Sequence, residues 1–140
     1  MKTLKINYWA VLVIVILGQL IAMAWYSFFR DRWMMYNKLT LDMGSQGSAP
    51  YIAAIIYVAG LALALAWIFK RMKVESAMDG LITGLILGIP SSLFYNIMIN
   101  LFSSRPYGLS WIDGGEGIIL FAVAGLVLGG WRKYHTEKQS

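Results

Sequence analysis

Apolar residues in this chain gather in four long runs, without the alternation of a strand or the one-sided stripe of a soluble helix. The first run, about 7–29, is apolar apart from Gln19. The second, about 50–69, starts at Pro50, and its Ala59, Gly60, Ala62, Ala64 and Ala66 give a thin helix surface. The third, about 78–102, carries Gly80, Gly84 and Gly88 at four-residue spacing, then Pro90, then Ser92, Asn96 and Asn100 at the same spacing. The fourth, about 111–131, contains Asp113 and Glu116 near its start and Gly117, Gly125 and Gly129 beyond. As helices, all four are long enough to cross about 30 Å of hydrocarbon. The pattern predicts an all-α, polytopic membrane protein with four transmembrane helices in one domain.

Local signals refine the runs. Pro90 lacks an amide hydrogen and frees the carbonyl of Ile86, so a kink is expected in the third span. A strict four-residue ridge drifts around a helix by about 40° per step, so its glycine half and its polar half need not face one neighbour. Ser110 with Asp113 three residues on resembles a capping box opening the last helix. Between the first two spans, residues 31–43 mix Trp33, Met34, Met35, Leu39, Leu41 and Met43 with charges. That stretch fits a short interfacial helix or an irregular loop equally well. Residues 44–49 read as a flexible linker, and the tail from Arg132 to Ser140 as polar and mobile. The basic start, the apolar run and Ala22-Met23-Ala24 also fit a cleaved signal peptide. The run's continuation through Phe29 favours a retained span.

Composition supports lipid as the solvent. Hydrophobic residues make up 59% of the chain and charged residues 14%, against roughly 25% charged in soluble domains. Mean hydropathy is +0.62. With no cysteine and the single histidine His135 in the tail, no metal, haem or other cofactor is implied. The net charge of +5 points to basic loops beside anionic lipid and not to nucleic acid. Lys2, Lys5, Lys70, Arg71, Lys73, Arg132, Lys133 and Lys138 fall in the head, second loop and tail. Arg30, Arg32, Lys38 and Arg105 fall in the other two loops. That bias places both termini in the cytoplasm, as in a multi-pass protein of a bacterial inner membrane. Tyr8, Trp9, Trp67 and Trp131 then mark the inner aromatic belt, and Trp25, Tyr26, Tyr51 and Trp111 the outer one.

Polar side chains inside spans are costly and are candidates for function. Gln19 could line a path or bond another helix, with Asn96 as a possible partner. Asn96 and Asn100, one turn apart, suit a head group or an interhelical tie. Asp113 and Glu116 lie on neighbouring positions at the positive end of the last helix. Arg30, Arg32 or Arg105 could neutralise Glu116. No phosphate loop, metal motif or catalytic triad accompanies the two carboxylates.

These residues also carry a resemblance. Gly18, Trp25-Tyr26-Ser27 and Trp33-Met34 resemble the first helix of small bacterial membrane proteins grouped as domain-of-unknown-function family seventeen-sixty-one. The segment from Arg105-Pro106 through Ile112-Asp113-Gly114 to Gly125 and Gly129-Gly130-Trp131 is similar to that family's last loop and helix. The family often has Phe-Gly after Trp-Tyr-Ser, whereas here Phe29 is followed by Arg30-Asp31. The resemblance implies architecture and no activity.

The expected functional surface is an outward rim of Trp25, Tyr26, Arg30, Trp33, Asn96, Asn100, Arg105, Asp113 and Glu116. It would bind membrane lipid, a small amphiphile or a partner protein. A small oligomeric transporter or channel using Gln19 is the alternative, in a homodimer or larger membrane complex. A membrane enzyme using Asp113 and Glu116 is a third.

Overall fold

The computed structural model describes residues 2–39 and 47–136, with backbone alone at Lys2 and Thr136. Residues 44–46 of the expected linker, Leu41 and Met43 of the interfacial stretch, and Lys138 lie outside the described residues. In chain order the elements are β1 (Lys2–Lys5), α1 (Tyr8–Phe28), α2 (Arg30–Tyr36) and α3 (Ala49–Met72). They continue with α4 (Ala77–Gly88), a π-helical segment (Ile89–Phe94), α5 (Tyr95–Phe102), α6 (Tyr107–Gly130) and β2 (Lys133–Thr136). Four spans are long and apolar enough to cross a membrane: α1, α3, the continuous α4–π–α5 helix, and α6. The lipid-facing surface is correspondingly apolar, with Trp9, Ile16, Leu20, Ile56, Ile86 and Phe102 all exposed.

Local chemistry sets the boundaries. Asn7 caps α1, its side-chain oxygen accepting from the amides of Trp9 and Ala10 at 3.1 and 3.3 Å. Pro50 sits in the first turn of α3, where its missing amide costs nothing. Lys73 ends α3 in a left-handed conformation, φ 56°. Ser76 then caps α4 by accepting from the amide of Asp79 at 3.1 Å. The interfacial stretch is helical over Arg30–Tyr36.

Helix α6 is the centre of the bundle. Half of its most apolar window is buried inside the protein, against 17% to 28% for the other spans. On one side it packs with α1 and α3 through Ile14, Val58, Ala62, Phe69, Leu120 and Ala124. On the other, α4 lies against it backbone to backbone. A Cβ on Gly80 would strike the carbonyl of Gly125, one on Gly125 the carbonyl of Gly80, and one on Gly84 the carbonyl of Phe121. Lipid offers no hydrophobic force between helices, so this close approach is what the glycines supply.

Pro90 does interrupt the third span, and the relief takes the form of a π turn. The Ser91 hydroxyl bonds the Leu87 carbonyl within it. The wider turn counteracts the drift of a four-residue ridge. As a result Gly80, Gly84, Gly88, Ser92 and Asn100 are all buried. Both halves of the row face α6: Ser92 donates to the carbonyl of Gly114 at 3.0 Å, and the Asn100 amide donates to the Ser110 hydroxyl at 3.0 Å.

Three expectations need correction. The last helix opens at Tyr107, behind Pro106, and not at a Ser110 cap. Ser110 is fully buried, and its hydroxyl donates to the carbonyl of Asn96 at 3.3 Å. In lipid, the hydroxyl that would cap a soluble helix is spent between helices. The tail is ordered over Lys133–Thr136, which pairs antiparallel with Lys2–Lys5 in the register Leu4 with Tyr134 and Thr3 with His135. A two-stranded ribbon therefore joins the otherwise helical fold, because α1 starts where α6 ends. The expected Gln19–Asn96 bond is absent. Asn96 donates instead to the carbonyl of Ser92 on its own helix at 2.8 Å.

A groove of about 570 Å³ separates α3 from α4 and the π turn, floored by the buried side chains of Leu65 and Phe121.

Candidate functional site

The most developed chemistry lies at the end of the bundle opposite the ribbon, where α1 passes into α2 and α6 begins. Trp25 ends its run of apolar neighbours by donating its indole N–H to the carbonyl of Ile112 at 2.8 Å. Its ring lies over Gly115, where a Cβ would come within 2.9 Å of it. The Tyr26 hydroxyl donates to Asp113 Oδ1 at 2.7 Å, and the Trp33 indole donates to the same oxygen at 3.2 Å. Tyr26 and Trp33 also meet edge to face, with ring centroids 5.9 Å apart. Asp113 is thus a clasp that holds α1 and α2 to α6.

The clasp leaves recesses beside it. Trp25, Phe29, Arg32, Tyr36, Trp111 and Ile112 wall a space of about 280 Å³. Tyr36 reaches across to Gly108, whose missing side chain admits the phenol. Phe28, Phe29, Asp31 and Arg32 bound a second space of about 290 Å³. Below them an apolar groove of about 420 Å³ runs down α1 between Ile21, Ala24, Trp25, Phe28 and Phe29. The three share Phe29, which packs on Trp25 at 4.8 Å. Arg32 is exposed, and no side-chain hydrogen bond or ion pair occupies its guanidinium among the described residues. A free cation framed by aromatic rings, beside an apolar surface groove, suits an anionic head group with an acyl tail.

The other expected rim residues separate into distinct environments. Glu116 is half-buried at the meeting of α1, α3 and α6, within electrostatic reach of Asp113, Tyr26 and Tyr57. No hydrogen bond or ion pair reaches its carboxylate among the described residues, so the expected neutralising arginine is not in place. Gln19 has its amide nitrogen buried with no partner among the described residues. The Asn100 side chain is committed to the α5–α6 seam, and that of Asn96 to the carbonyl of Ser92 on its own helix. Arg30 and Arg105 are exposed, their side chains making no hydrogen bond or ion pair among the described residues, while the backbone amide of Arg105 donates to the carbonyl of Asn100 at 2.8 Å. The structure therefore brings Trp25, Tyr26, Trp33 and Asp113 together, places Glu116 one turn deeper, and leaves the side chains of Arg30, Arg105 and the two asparagines outside that hydrogen-bonded cluster. Among the described residues, no group of His, Asp or Glu is arranged to hold a metal.

Sequence reasoning took Arg32 only as a counter-ion for Glu116 and Trp111 only as part of the outer belt, and passed over Phe29 and Tyr36. One signal was available. Phe29, Arg32 and Tyr36 stand at i, i+3 and i+7, the spacing of a single helix face.

No curated protein and no solved structure matches the chain. A family model does match, over residues 9–129. That range takes in the clasp and all four spans except Tyr8 at the start of α1 and Gly130 at the end of α6. The chain belongs to the family described as "Protein of unknown function (DUF1761)".

Proposed function

We propose that this membrane protein is a non-catalytic module that holds an amphiphile with an anionic head group, membrane lipid being the natural source. One observation carries the reading: the aromatic-walled space around unpaired Arg32 adjoins, across Phe29, the apolar groove on α1. The head group sits with Arg32, the tail lies along Ile21, Ala24 and Phe28, and Asp113 holds the walls in place. The excess of Lys and Arg at the ribbon end supports both termini facing the cytoplasm of a bacterial inner membrane, with the recess on the outer face.

Native mass spectrometry of protein released in mild detergent tests this. Wild type is expected to retain an anionic lipid in preference to a zwitterionic one. Arg32→Gln should weaken that retention about tenfold, the value of one charge-assisted hydrogen bond. Equal retention of the two lipid classes by wild type, or unchanged retention by the variant, overturns the proposal.

The buried unpaired amide of Gln19 and the uncompensated carboxylate of Glu116 favour a second reading as a small oligomeric transporter. Substrate-dependent flux into liposomes that Gln19→Leu abolishes is the result that supports it.

A further inference from the structure

A carboxyl group inside a membrane span is costly, which makes it a functional candidate by default. Glu116 lies about two and a half turns into α6. Its own helix face fixes where it points. Asp113, Glu116 and Leu120 stand at i, i+3 and i+7 and share one face. Asp113 meets Tyr26 of α1. Leu120 is buried where α1 comes closest, so that a Cβ on Gly18 would strike both it and Val58 of α3. Glu116 enters the α1–α6 seam between these two contacts.

Few groups face it there. From α1 the titratable neighbour is Tyr26, from α3 Tyr57, and from its own helix Asp113. None is a cation, and the Tyr26 hydroxyl already donates to Asp113. No Lys or Arg pairs with Glu116 among the described residues, and residues 40–46 contain neither. A second side chain in the seam also lacks a partner. Gln19 stands seven residues before Tyr26, within about 20° of the same face of α1. Its amide nitrogen is buried and unbonded among the described residues. Because Gly18 meets Leu120, Gln19 lies about one turn deeper than Glu116. A free acceptor and a free donor therefore occupy one seam. A buried carboxyl is tolerated when it is neutral or when its charge is hydrogen-bonded.

We propose that Glu116 is a site of reversible proton binding inside the bundle, with the Gln19 amide as donor to its ionised form. A proton passes between water and one carboxyl oxygen, and no other bond is made or broken. The inference needs neither lipid binding nor flux and stands if both of those readings fail.

Infrared spectroscopy of the full chain in lipid, taken from mildly acidic to alkaline medium, tests this. Wild type is expected to show a protonated-carboxyl C=O stretch that fades reversibly as pH rises. Glu116→Gln should abolish that band, and Asp113→Asn should retain it. Gln19→Leu should bind the proton about tenfold more tightly, because the ionised form loses one charge-assisted hydrogen bond. Circular dichroism confirms that each variant is folded. Wild type alone supplies a second readout. A membrane-soluble carbodiimide adds to a protonated carboxyl, the acid's proton moving to nitrogen as the new C–O bond forms, so nothing is lost. Fragment masses should place the full mass of the reagent on Glu116 in acidic medium, with at least tenfold less in alkaline medium. Four results would overturn the inference: no titrating band in wild type, the same band in Glu116→Gln, an unmoved titration in Gln19→Leu, or labelling at Asp113 in place of Glu116.

Discussion

At the scale of single residues, Asp113 and Glu116 show how similar side chains one turn apart acquire different meanings. Asp113 accepts from Tyr26 and Trp33; Glu116 accepts from nothing among the described residues. Asp113→Ala strands two donors in a half-buried seam and should cost about 1–3 kcal/mol. Tyr26→Phe removes one bond and should cost about 0.6 kcal/mol, the mean for such bonds in membranes. Combining the two should cost less than their sum, because they share the bond. Glu116→Gln should be neutral within about 0.5 kcal/mol or stabilising, since no partner is lost. Unfolding in mixed micelles checks the order, and a Glu116→Gln loss equal to that of Asp113→Ala would contradict it. The sequence marked both carboxylates as significant but gave Asp113 a cap and Glu116 a cation, where the structure gives Asp113 two aromatic donors and Glu116 no partner among the described residues. Capping and interhelical bonding use the same residue types. Only the true start of α6 at Tyr107 distinguishes them.

At the scale of elements, the α4–π–α5 span shows which parts of a helix can be read ahead of the structure. The break at Pro90 was legible, because a missing amide must disturb the helix wherever it falls. That a π turn would absorb it was not legible, nor that the turn would bring Gly88 and Ser92 onto one face. That outcome depends on α6 offering Phe121 to Gly88 and the carbonyl of Gly114 to Ser92. The α4–α6 seam makes a sharp prediction. In Gly125→Ala the new methyl collides with the Gly80 backbone, which cannot move as a flexible side chain would. The expected loss is about 3 kcal/mol. In the detergent-isolated monomer, Gly60→Ala should lose nothing and gain up to about 1 kcal/mol from helix propensity. Thermal unfolding of the two alanine variants side by side provides the measurement. Equal stabilities would mean that the glycine seam is not what holds α4 to α6.

At the scale of the whole molecule, the ribbon closes the chain on itself, and Asn7 is where the closure meets the bundle. The four spans could be read from hydropathy alone, since each is a local property of the chain. The β1–β2 pairing could not, because it depends on two segments meeting only after α1 and α6 have packed. Asn7 is 1% exposed. Its oxygen caps α1, and its amide donates to the carbonyl of Trp131 at 3.1 Å, just past the end of α6. Nearby, burial lowers the proton affinity of Arg132, with Tyr134 and Glu75 acting in the opposite sense. Its Nη1 donates to the carbonyl of Leu128 at 3.1 Å. One amide side chain therefore joins the start of α1 to the end of α6, where the ribbon begins. Asn7→Asp keeps an acceptor for the α1 amides but loses the donor to Trp131 and sets a carboxylate against a carbonyl. Asn7→Ala loses both functions. If the cap alone matters, Asn7→Asp should match wild type and Asn7→Ala should lose about 1 kcal/mol. If the junction matters, both variants should lose about 1–3 kcal/mol, and the amides of residues 133–136 should exchange with solvent much faster in each. We expect the second pattern, read by hydrogen exchange of the ribbon together with thermal unfolding. Protected ribbon amides in Asn7→Asp would show that the strands hold together without the side chain that links them to the helices.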